Sequence, residues 1–292
     1  MNDAVLIERK GPIALVTLNR PDSRNALSAD VIDGLVAFLS GANADASLGC
    51  IILTANGKSF SSGGNVKEMR DGTHPMFAGT PIEMQEGYRN TIQQLPRLFH
   101  QLDVPAIAAV NGHAIGAGMD LATFCDIRVA STAATFSESF LRVGLISGDG
   151  GAWYLPRVIG QAKAMEMALT CCTLDAAQAK DWGLVTHVVE PENLLEKAWA
   201  LAEQITAFPP KSIRLNKRLI RQSSEVPLET ALDLAASFQP IVQNTADQQE
   251  AVSTLLERRP PINWWPVADM APLHRTRPPM PSAPSFSTPA PA

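Results

Sequence analysis

The sequence has few cysteines, and their placement excludes two classes of protein. Only Cys50, Cys125, Cys171 and Cys172 occur in 292 residues. They have neither the paired spacing of a zinc site nor the density of a disulfide scaffold. We therefore expect reduced, mostly buried cysteines, a reducing compartment and no bound metal.

Long apolar runs and blocks of one charge are also missing from the sequence. No stretch is apolar and long enough to span a bilayer, and MNDAVLIERKG at the start lacks the apolar segment of a signal peptide. Lysine and arginine form no long block, and the formal net charge is -5, which argues against a nucleic-acid-binding surface. We expect a cytoplasmic protein that binds neither membranes nor nucleic acids.

The chain does contain enough apolar residues for a sizeable core, since 46% of it is hydrophobic. Short strand-like segments, such as Cys50 to Thr54 and Ala106 to Val110, alternate with helical patterns as far as Val189. This alternation predicts an α/β fold for residues 1–195.

The pattern changes in the last third of the chain. Residues 196–258 predict helices only, with basic side chains at helical spacing along one of them. Residues 259–292 are rich in proline and predict a largely disordered or extended tail that carries no chemistry.

Residues 106–126, AIAAVNGHAIGAGMDLATFCD, join a buried strand to a helix through a glycine-dense turn. Backbone N–H groups at the helix start lack partners and favour a bound anion. Asp120 follows Ala117 by about one helical turn on the same face. A carboxylate repels a phosphate but moves protons beside an oxyanion, so the turn is either an oxyanion site or, about equally, a simple packing turn.

Two further turns are dense in small residues. In FSSGGNVKEM the small residues leave backbone amides accessible, and Asn65 is a candidate cap for a short helix; the alternative is an ordinary surface loop. Ser147 to Gly151 forms the other turn and contains Asp149.

Between these two turns the sequence predicts a loop and a helix. Residues 71–80 are predicted to form a mobile loop for substrate entry, and residues 81–101 are predicted to form a helix kinked at Pro96.

The chain from residue 5 to about residue 258 resembles the crotonase, or enoyl-CoA hydratase/isomerase, superfamily. The motifs NRPDSRNALS, FSSGGNVKEM, AVNGHAIGAGMDLATFCDIRVAS and AKDWGLVTHVV have family counterparts in the same order. The resemblance implies a spiral of ββα units and a C-terminal helical region that forms a homotrimer or a dimer of trimers. It also implies an acyl-CoA thioester substrate, so that coenzyme A is part of the substrate and no separate cofactor is expected.

The resemblance also assigns roles to residues. It implies an oxyanion hole formed by the backbone N–H groups of Ser62 and Ala117. The residues implied to bind the acyl-CoA are Arg24, Asn25, Ala26, Gly63, Gly64, Asn65, Lys67, Gly116 and Phe140. Its phosphates would meet the basic helix, of this chain or of a neighbouring subunit, that begins near Lys211 and continues through Arg214, Lys217 or Arg218, and Arg221. The alternative is that this basic stripe is only a solvated face.

The acid–base residues depart from the hydratase pattern, which has two glutamates. Asp120 occupies the first position and keeps a carboxylate with a shorter reach. Phe140 occupies the second and cannot carry a proton. We expect Asp149 to be the second acid, in preference to Glu138, which we expect to face solvent.

Several functions fit this pattern. The leading hypothesis is a lyase of the enoyl-CoA hydratase type in fatty acid metabolism, with Asp120 and Asp149 as its acid–base pair. An enoyl-CoA isomerase, a dehalogenase or a thioester hydrolase of the same superfamily is an alternative, because fold does not determine the reaction. A non-catalytic acyl-CoA-binding protein is a third possibility, suggested by Phe140. The sequence GAGMDL lacks the third glycine of a dinucleotide fingerprint, so we expect no nicotinamide cofactor.

Overall fold

A computed structural model of the protein describes residues 3–260 together with Trp264 and Trp265. Strands are numbered in chain order: β1 (Val5–Lys10), β2 (Ile13–Leu18), β3 (Cys50–Ala55), β4 (Ser59–Ser61), β5 (Ala106–Val110), β6 (His113–Ile115), β7 (Ile127–Ser131), β8 (Thr135–Ser137), β9 (Leu174–Asp175) and β10 (His187–Val189).

Helices are numbered in the same way: α1 (Ala29–Ala42), α2 (Val66–Asp71), α3 (Pro81–Asn90), α4 (Gln94–Gln101), α5 (Ala117–Thr123), α6 (Gly151–Ile159), α7 (Gln161–Thr170), α8 (Ala176–Asp181), α9 (Leu194–Thr206), α10 (Pro210–Ser223), α11 (Leu228–Gln243) and α12 (Ala246–Glu257). Strands and helices alternate up to β10, and among the described residues only helices follow it, as predicted.

Two sheets form the core. The first has the order β1-β2-β3-β5-β7-β10, and the second has the order β4-β6-β8-β9. In the first sheet β1 and β2 are antiparallel, and the later neighbours are parallel. Each of the pairs β3–β4, β5–β6 and β7–β8 passes from the first sheet to the second before helices lead the chain back. This arrangement is the predicted ββα spiral.

The central strands of the first sheet are buried on both faces. Every residue of β3 and β5 is buried, which matches their unbroken apolar sequences. One face packs against the helices of the spiral, while α9 covers the other through Leu194, Ala198 and Ala202. Because α9 belongs to the core, the change to peripheral helices falls after Thr206 and not at residue 195.

The basic side of α10 faces the core of its own chain. The side chains of α10 that donate hydrogen bonds to this core are Arg214, Lys217, Arg218 and Arg221. Lys217 pairs with Asp126 at 2.6 Å, and Asp103 pairs with both Arg218 and Arg221. Arg214 donates to three backbone carbonyls between α1 and β3. These hydrogen bonds join α10 to the sheets, and a contact of the four residues with coenzyme A phosphates stays a prediction.

The segment before α5 differs from its prediction in two places. Residues 81–101 form two helices, α3 and α4, instead of one kinked helix. Pro96 lies in the first turn of α4, where backbone N–H groups have no helical partner, so it causes no kink. The predicted mobile loop at 71–80 contains an ordered turn, in which His74 and Met76 are buried. Gly87 of α3 permits this packing, since a Cβ there would lie 2.3 Å from the Pro75 carbonyl oxygen.

Two tryptophans in the part of the tail that the structure describes are held at the end of α9. Trp265 is buried and donates from its indole nitrogen to the Thr206 carbonyl at 2.7 Å, and Trp264 donates to the Ala207 carbonyl at 2.9 Å. Arg259 pairs with Glu250. Residues 261–263 and 266–292 lie outside the described residues.

Candidate active site

A cavity of about 380 Å³ opens between the loop after β4, the turn before α5, helix α3 and the segment after β8. The predicted site residues that line it are Ser62, Gly63, Gly64, Gly116, Ala117, Phe140 and Asp149. Its remaining wall is mainly apolar, including Leu27, Met69, Met76, Phe77, Tyr88, Ile92, Ile115, Val143, Leu145 and Ile146. Such a cavity suits an apolar group whose polar end is held by a few defined contacts.

Glycines bring the two small-residue loops into contact. A Cβ on Gly118 would lie 2.4 Å from the Ser61 carbonyl oxygen, and one on Gly63 would lie 2.5 Å from the Ile115 carbonyl oxygen. Gly63 and Gly116 also have positive φ angles, of 79° and 53°. Only glycine fits these positions without a shift of the backbone, so the two loops present their backbone amides side by side.

The predicted oxyanion donor in the first loop requires a correction. The Ser62 N–H donates to the Arg24 carbonyl at 3.0 Å, so it is not free to bind a substrate oxygen. Within the described part of the chain, no hydrogen bond engages the N–H groups of Gly64 and Ala117, and both residues line the cavity. Ala117 is the first residue of α5, where the N–H group has no helical partner and the dipole is positive. Gly64 and Ala117 are therefore the pair of donors that the geometry supports.

Several residues predicted to bind coenzyme A lie outside the cavity lining. Asn25 is fully buried; its side chain accepts from the Arg20 N–H and donates to the carbonyls of Asn56 and Ser59, so it holds the loop together. Ala26 is buried beside it, and Arg24 is exposed. These residues shape the wall that carries Ser62, and a direct contact with coenzyme A stays a prediction.

The remaining predicted contacts lie on the surface. Asn65 accepts a hydrogen bond from the Lys67 N–H at 3.1 Å and so caps α2, as predicted. Lys67 and Lys211 are exposed, on α2 and α10 respectively. Their contact with coenzyme A also stays a prediction.

Three carboxyl groups lie together behind the oxyanion donors. Asp120, Glu138 and Asp149 are respectively 0%, 2% and 4% exposed, and each has one buried side-chain oxygen without a hydrogen-bond partner. Gly151 makes room for them, because a Cβ there would lie 2.0 Å from Asp120 Oδ1. Ser147 donates to the other Asp120 oxygen at 3.4 Å. Among the three acids, Asp149 is the one that lines the cavity.

The surroundings favour the protonated forms of these acids. Burial, followed by the charge of Glu138, raises the pKa of Asp120 well above its ordinary value. Burial and the charge of Asp120 do the same to the pKa of Asp149. Burial raises the pKa of Glu138 to about 7; a hydrogen bond with Asp120 opposes this shift, and the charge of Asp149 adds to it. Carboxyl groups whose pKa is raised in this way are suited to general acid–base catalysis.

The prediction that Glu138 faces solvent is wrong, and strand pairing explains why. Ser137 of β8 pairs with Ile115 of β6, and its carbonyl accepts from the Gly116 N–H at 2.7 Å. Glu138 therefore leaves β8 at the edge where Gly116 leaves β6, next to α5. A prediction that β8 pairs with β6 would have indicated that Glu138 lies next to α5.

Phe140 places an apolar ring at the position where the hydratase pattern has its second glutamate. Its ring would lie 3.6 Å from a Cβ placed on Gly116, beside the oxyanion turn. The cavity therefore has one acid, Asp149, on its surface, and the other two lie behind it.

Other predictions concern the chain as a whole. All four cysteines are free, and Cys50, Cys125 and Cys171 are buried, as predicted. No helix among residues 3–260 has the length and apolar character that crossing a membrane requires.

Comparison with known proteins agrees with this architecture. The family described as enoyl-CoA hydratase/isomerase matches residues 8–265. The crystal structure of an enoyl-CoA hydratase from Bacillus anthracis superposes with a TM-score of 0.83 at 31% identity, covering 89% of this chain and 99% of that one. The chain belongs to the enoyl-CoA hydratase/isomerase family.

Individual relatives differ in their reactions. A probable mitochondrial enoyl-CoA hydratase of Dictyostelium discoideum is 36% identical over 258 residues, which is 87% of this chain and 88% of that protein. The 1,2-epoxyphenylacetyl-CoA isomerase of Escherichia coli K12 is 34% identical over 262 residues, which is 89% of this chain and 98% of that protein. Family membership therefore leaves room for hydration and for isomerisation.

Proposed function

We propose that this protein is a lyase of the enoyl-CoA hydratase type, which adds water to a 2,3-unsaturated acyl-CoA through an enolate. The observation that supports it is the junction of two free backbone amides, at Gly64 and Ala117, with a buried acid, Asp149, around one apolar cavity. The reaction needs no cofactor besides the coenzyme A that is part of the substrate.

The two amides would bind the thioester carbonyl oxygen. As the hydroxyl oxygen of water bonds to C3, electrons move onto this oxygen and form an enolate. Donors fixed in a water-poor site stabilise that charge, typically by a few kcal/mol for each donor. The Gly63 and Gly118 contacts hold the donors in place before the substrate binds.

Asp149 would transfer the proton. In its ionised form it takes a proton from the attacking water, and it returns that proton to C2 of the enolate, so that one water is consumed and the carboxylate is regenerated. Asp120, directly behind it, raises its pKa and so favours the return of the proton.

A direct test is the turnover of crotonyl-CoA and longer 2-enoyl-CoAs, followed by loss of the absorbance of the conjugated thioester. We expect turnover by the unchanged protein, and a strong fall in kcat with retained binding for Asp149→Asn. Binding of these thioesters without turnover at any chain length would instead indicate an acyl-CoA-binding protein.

A second candidate is the isomerisation of a 3-enoyl-CoA. One carboxyl on the cavity surface is enough to move a proton from C2 to C4, and Phe140 occupies the place at which a second acid would activate water. Supplying but-3-enoyl-CoA and measuring gain of the conjugated absorbance distinguishes this reaction from hydration, which causes a loss.

We also propose that α10, α11 and α12 form the trimer contact and that the protein acts in the cytoplasm. Apolar side chains exposed on these helices support the first proposal: Ile220, Leu228, Leu232, Ile241, Val252, Leu255 and Leu256. The free cysteines support the second. Sedimentation of the purified protein tests the trimer, because a monomer at micromolar concentration would contradict it.

A further inference from the structure

Tyr88 and Asp149 each have an unused hydrogen-bonding group at the cavity. Tyr88 lines the cavity, and within the described part of the chain nothing bonds its hydroxyl. Asp149 lines it as well, and one of its carboxyl oxygens is buried without a partner. Ser137 and Ser139, by contrast, bond each other at 2.8 Å. Because polar groups in such a place are usually satisfied by water or a ligand, Tyr88 and Asp149 mark a place for a small polar molecule.

The ring of Tyr88 lies against the turn that carries Asp149. A Cβ placed on Gly148, the residue before Asp149, would lie 3.5 Å from Tyr88 Cε1 and 3.8 Å from Tyr88 Cδ1. The hydroxyl is attached to the ring carbon next to Cε1, so it lies close to this turn. Gln93 joins the two segments, because its N–H donates to the Tyr88 carbonyl at 3.1 Å and its side chain donates to the Gly148 carbonyl at 2.7 Å.

The Tyr88 ring also has a defined orientation and protonation state. It meets the ring of Phe77 edge-on, with the centroids 6.4 Å apart and the planes at 90°. Burial, followed by the charge of Asp149, raises the pKa of Tyr88. The side chain is therefore a neutral phenol at physiological pH, and its oxygen can accept a hydrogen bond.

We propose that Tyr88 is a second catalytic residue, whose hydroxyl oxygen holds, together with the Asp149 carboxylate, the water that attacks C3. Helix α3 thereby supplies the second contact to the water, which Phe140 cannot make. This inference rests on the proposed function.

The physical reason is that a water molecule must be oriented as well as deprotonated. One O–H bond of the water donates to ionised Asp149, which takes that proton as the oxygen bonds to C3. The other O–H bond donates to the Tyr88 oxygen and remains in the product as its hydroxyl group. With both O–H bonds held, a lone pair of the water is free to face C3. Tyr88 gives up no proton, so the proton balance of the hydration is unchanged.

The first experiment compares two tyrosine variants in hydration of a 2-enoyl-CoA. Tyr88→Phe keeps the ring and loses only the oxygen, so kcat should fall about tenfold or more, while the affinity for the unreactive butyryl-CoA is unchanged. Tyr154→Phe is the matched control, because Tyr154 is the other of the two tyrosines and its hydroxyl donates to the Pro96 carbonyl at 3.1 Å, outside this cavity. Its kcat should equal that of the unchanged protein.

Exchange of the C2 protons of butyryl-CoA in D2O separates the water contact from an effect on Asp149. This exchange needs the oxyanion donors and Asp149 but no attacking water, so Tyr88→Phe should exchange at the rate of the unchanged protein. A parallel fall of exchange and hydration would show that Tyr88 only supports Asp149 or the fold, and would overturn the inference. Undiminished hydration by Tyr88→Phe would overturn it and leave the proposed function intact. Exchange without hydration by the unchanged protein would reject both.

A titration tests the closeness of the two groups without turnover. In a Tyr154→Phe background, the ultraviolet absorbance of tyrosinate reports Tyr88 alone. Adding Asp149→Asn removes the neighbouring negative charge, so the midpoint should move to lower pH. An unmoved midpoint would show that the Tyr88 hydroxyl does not face Asp149, and would overturn the inference.

Discussion

Replacing Ala117 with proline tests the oxyanion hole at a single atom. Proline lacks the N–H group that we assign to the thioester oxygen, and its Cδ would take the place of the amide hydrogen. The first position of a helix tolerates proline, because the N–H there has no helical partner. Gly116 precedes it with ψ of -126°, away from the helical region that a following proline disfavours. The fold should therefore survive the substitution.

The expected effect on catalysis is large. Ala117 is 6% exposed, so its N–H acts in a site from which most water is excluded. Loss of one such donor typically lowers kcat by about 10²–10³-fold, or about 3–4 kcal/mol. The Gly64 donor and Asp149 remain, so some turnover should persist.

The assay is steady-state turnover of a 2-enoyl-CoA, with thermal unfolding as the check on the fold. Ala29→Pro is a matched control: Ala29 is exposed, is the first residue of α1 and follows Ser28 with ψ of 166°. Its kcat should equal that of the unchanged protein. If Ala117→Pro folds normally and loses less than about tenfold in kcat, the assigned donor is incorrect.

Two further predictions concern stability. The pKa of Glu138 is raised by folding from 4.5 to about 7, so its contribution to stability is full below pH 4.5 and is lost as the pH rises through 7. Between pH 5 and pH 8 the unchanged protein should lose about 2–3 kcal/mol relative to Glu138→Gln in urea unfolding; a difference that is constant with pH would contradict this. Asp103→Ala leaves Arg218 and Arg221 without their shared carboxylate and should destabilise the protein by about 2 kcal/mol, whereas an unchanged urea midpoint would show that these ion pairs contribute nothing.

The sequence predicts most of the fold because the strongest signals are local. The unbroken apolar runs of β3 and β5 and the glycine-dense turn before α5 identify buried strands and a helix start without tertiary information. The second sheet is harder to predict, since β4 and β6 are three residues each and lie inside loops rich in small residues. Their strand conformation comes from pairing with each other.

Part of the site could be predicted because its sequence signals are local. Asp120 and Ala117 follow from helix geometry and turn chemistry, Asp149 follows from the resemblance to the family, and the structure brings the three together. The choice between Ser62 and Gly64 as donor depends on the Arg24 carbonyl, which lies far away in sequence. The contacts of the basic side of α10 could not be predicted from the sequence either. Helical spacing does not show whether a positive stripe meets a ligand or the chain's own acids.

The burial of Glu138 depends on the pairing of β8 with β6, which a polar residue in an extended segment does not indicate. Proximity to Phe140 made it a candidate, but only the three-dimensional arrangement shows that it is buried, as Asp120 is.

In the proposed reaction the protein forms an enolate of an acyl-CoA and protonates it at C2. The most direct measurement is turnover of crotonyl-CoA in D2O, with the product examined by mass spectrometry and NMR. Our account predicts one deuterium at C2 of the hydrated product, with formation of that product slowed by Asp149→Asn and by Ala117→Pro. Product without deuterium at C2, or no product despite binding of the thioester, would contradict it.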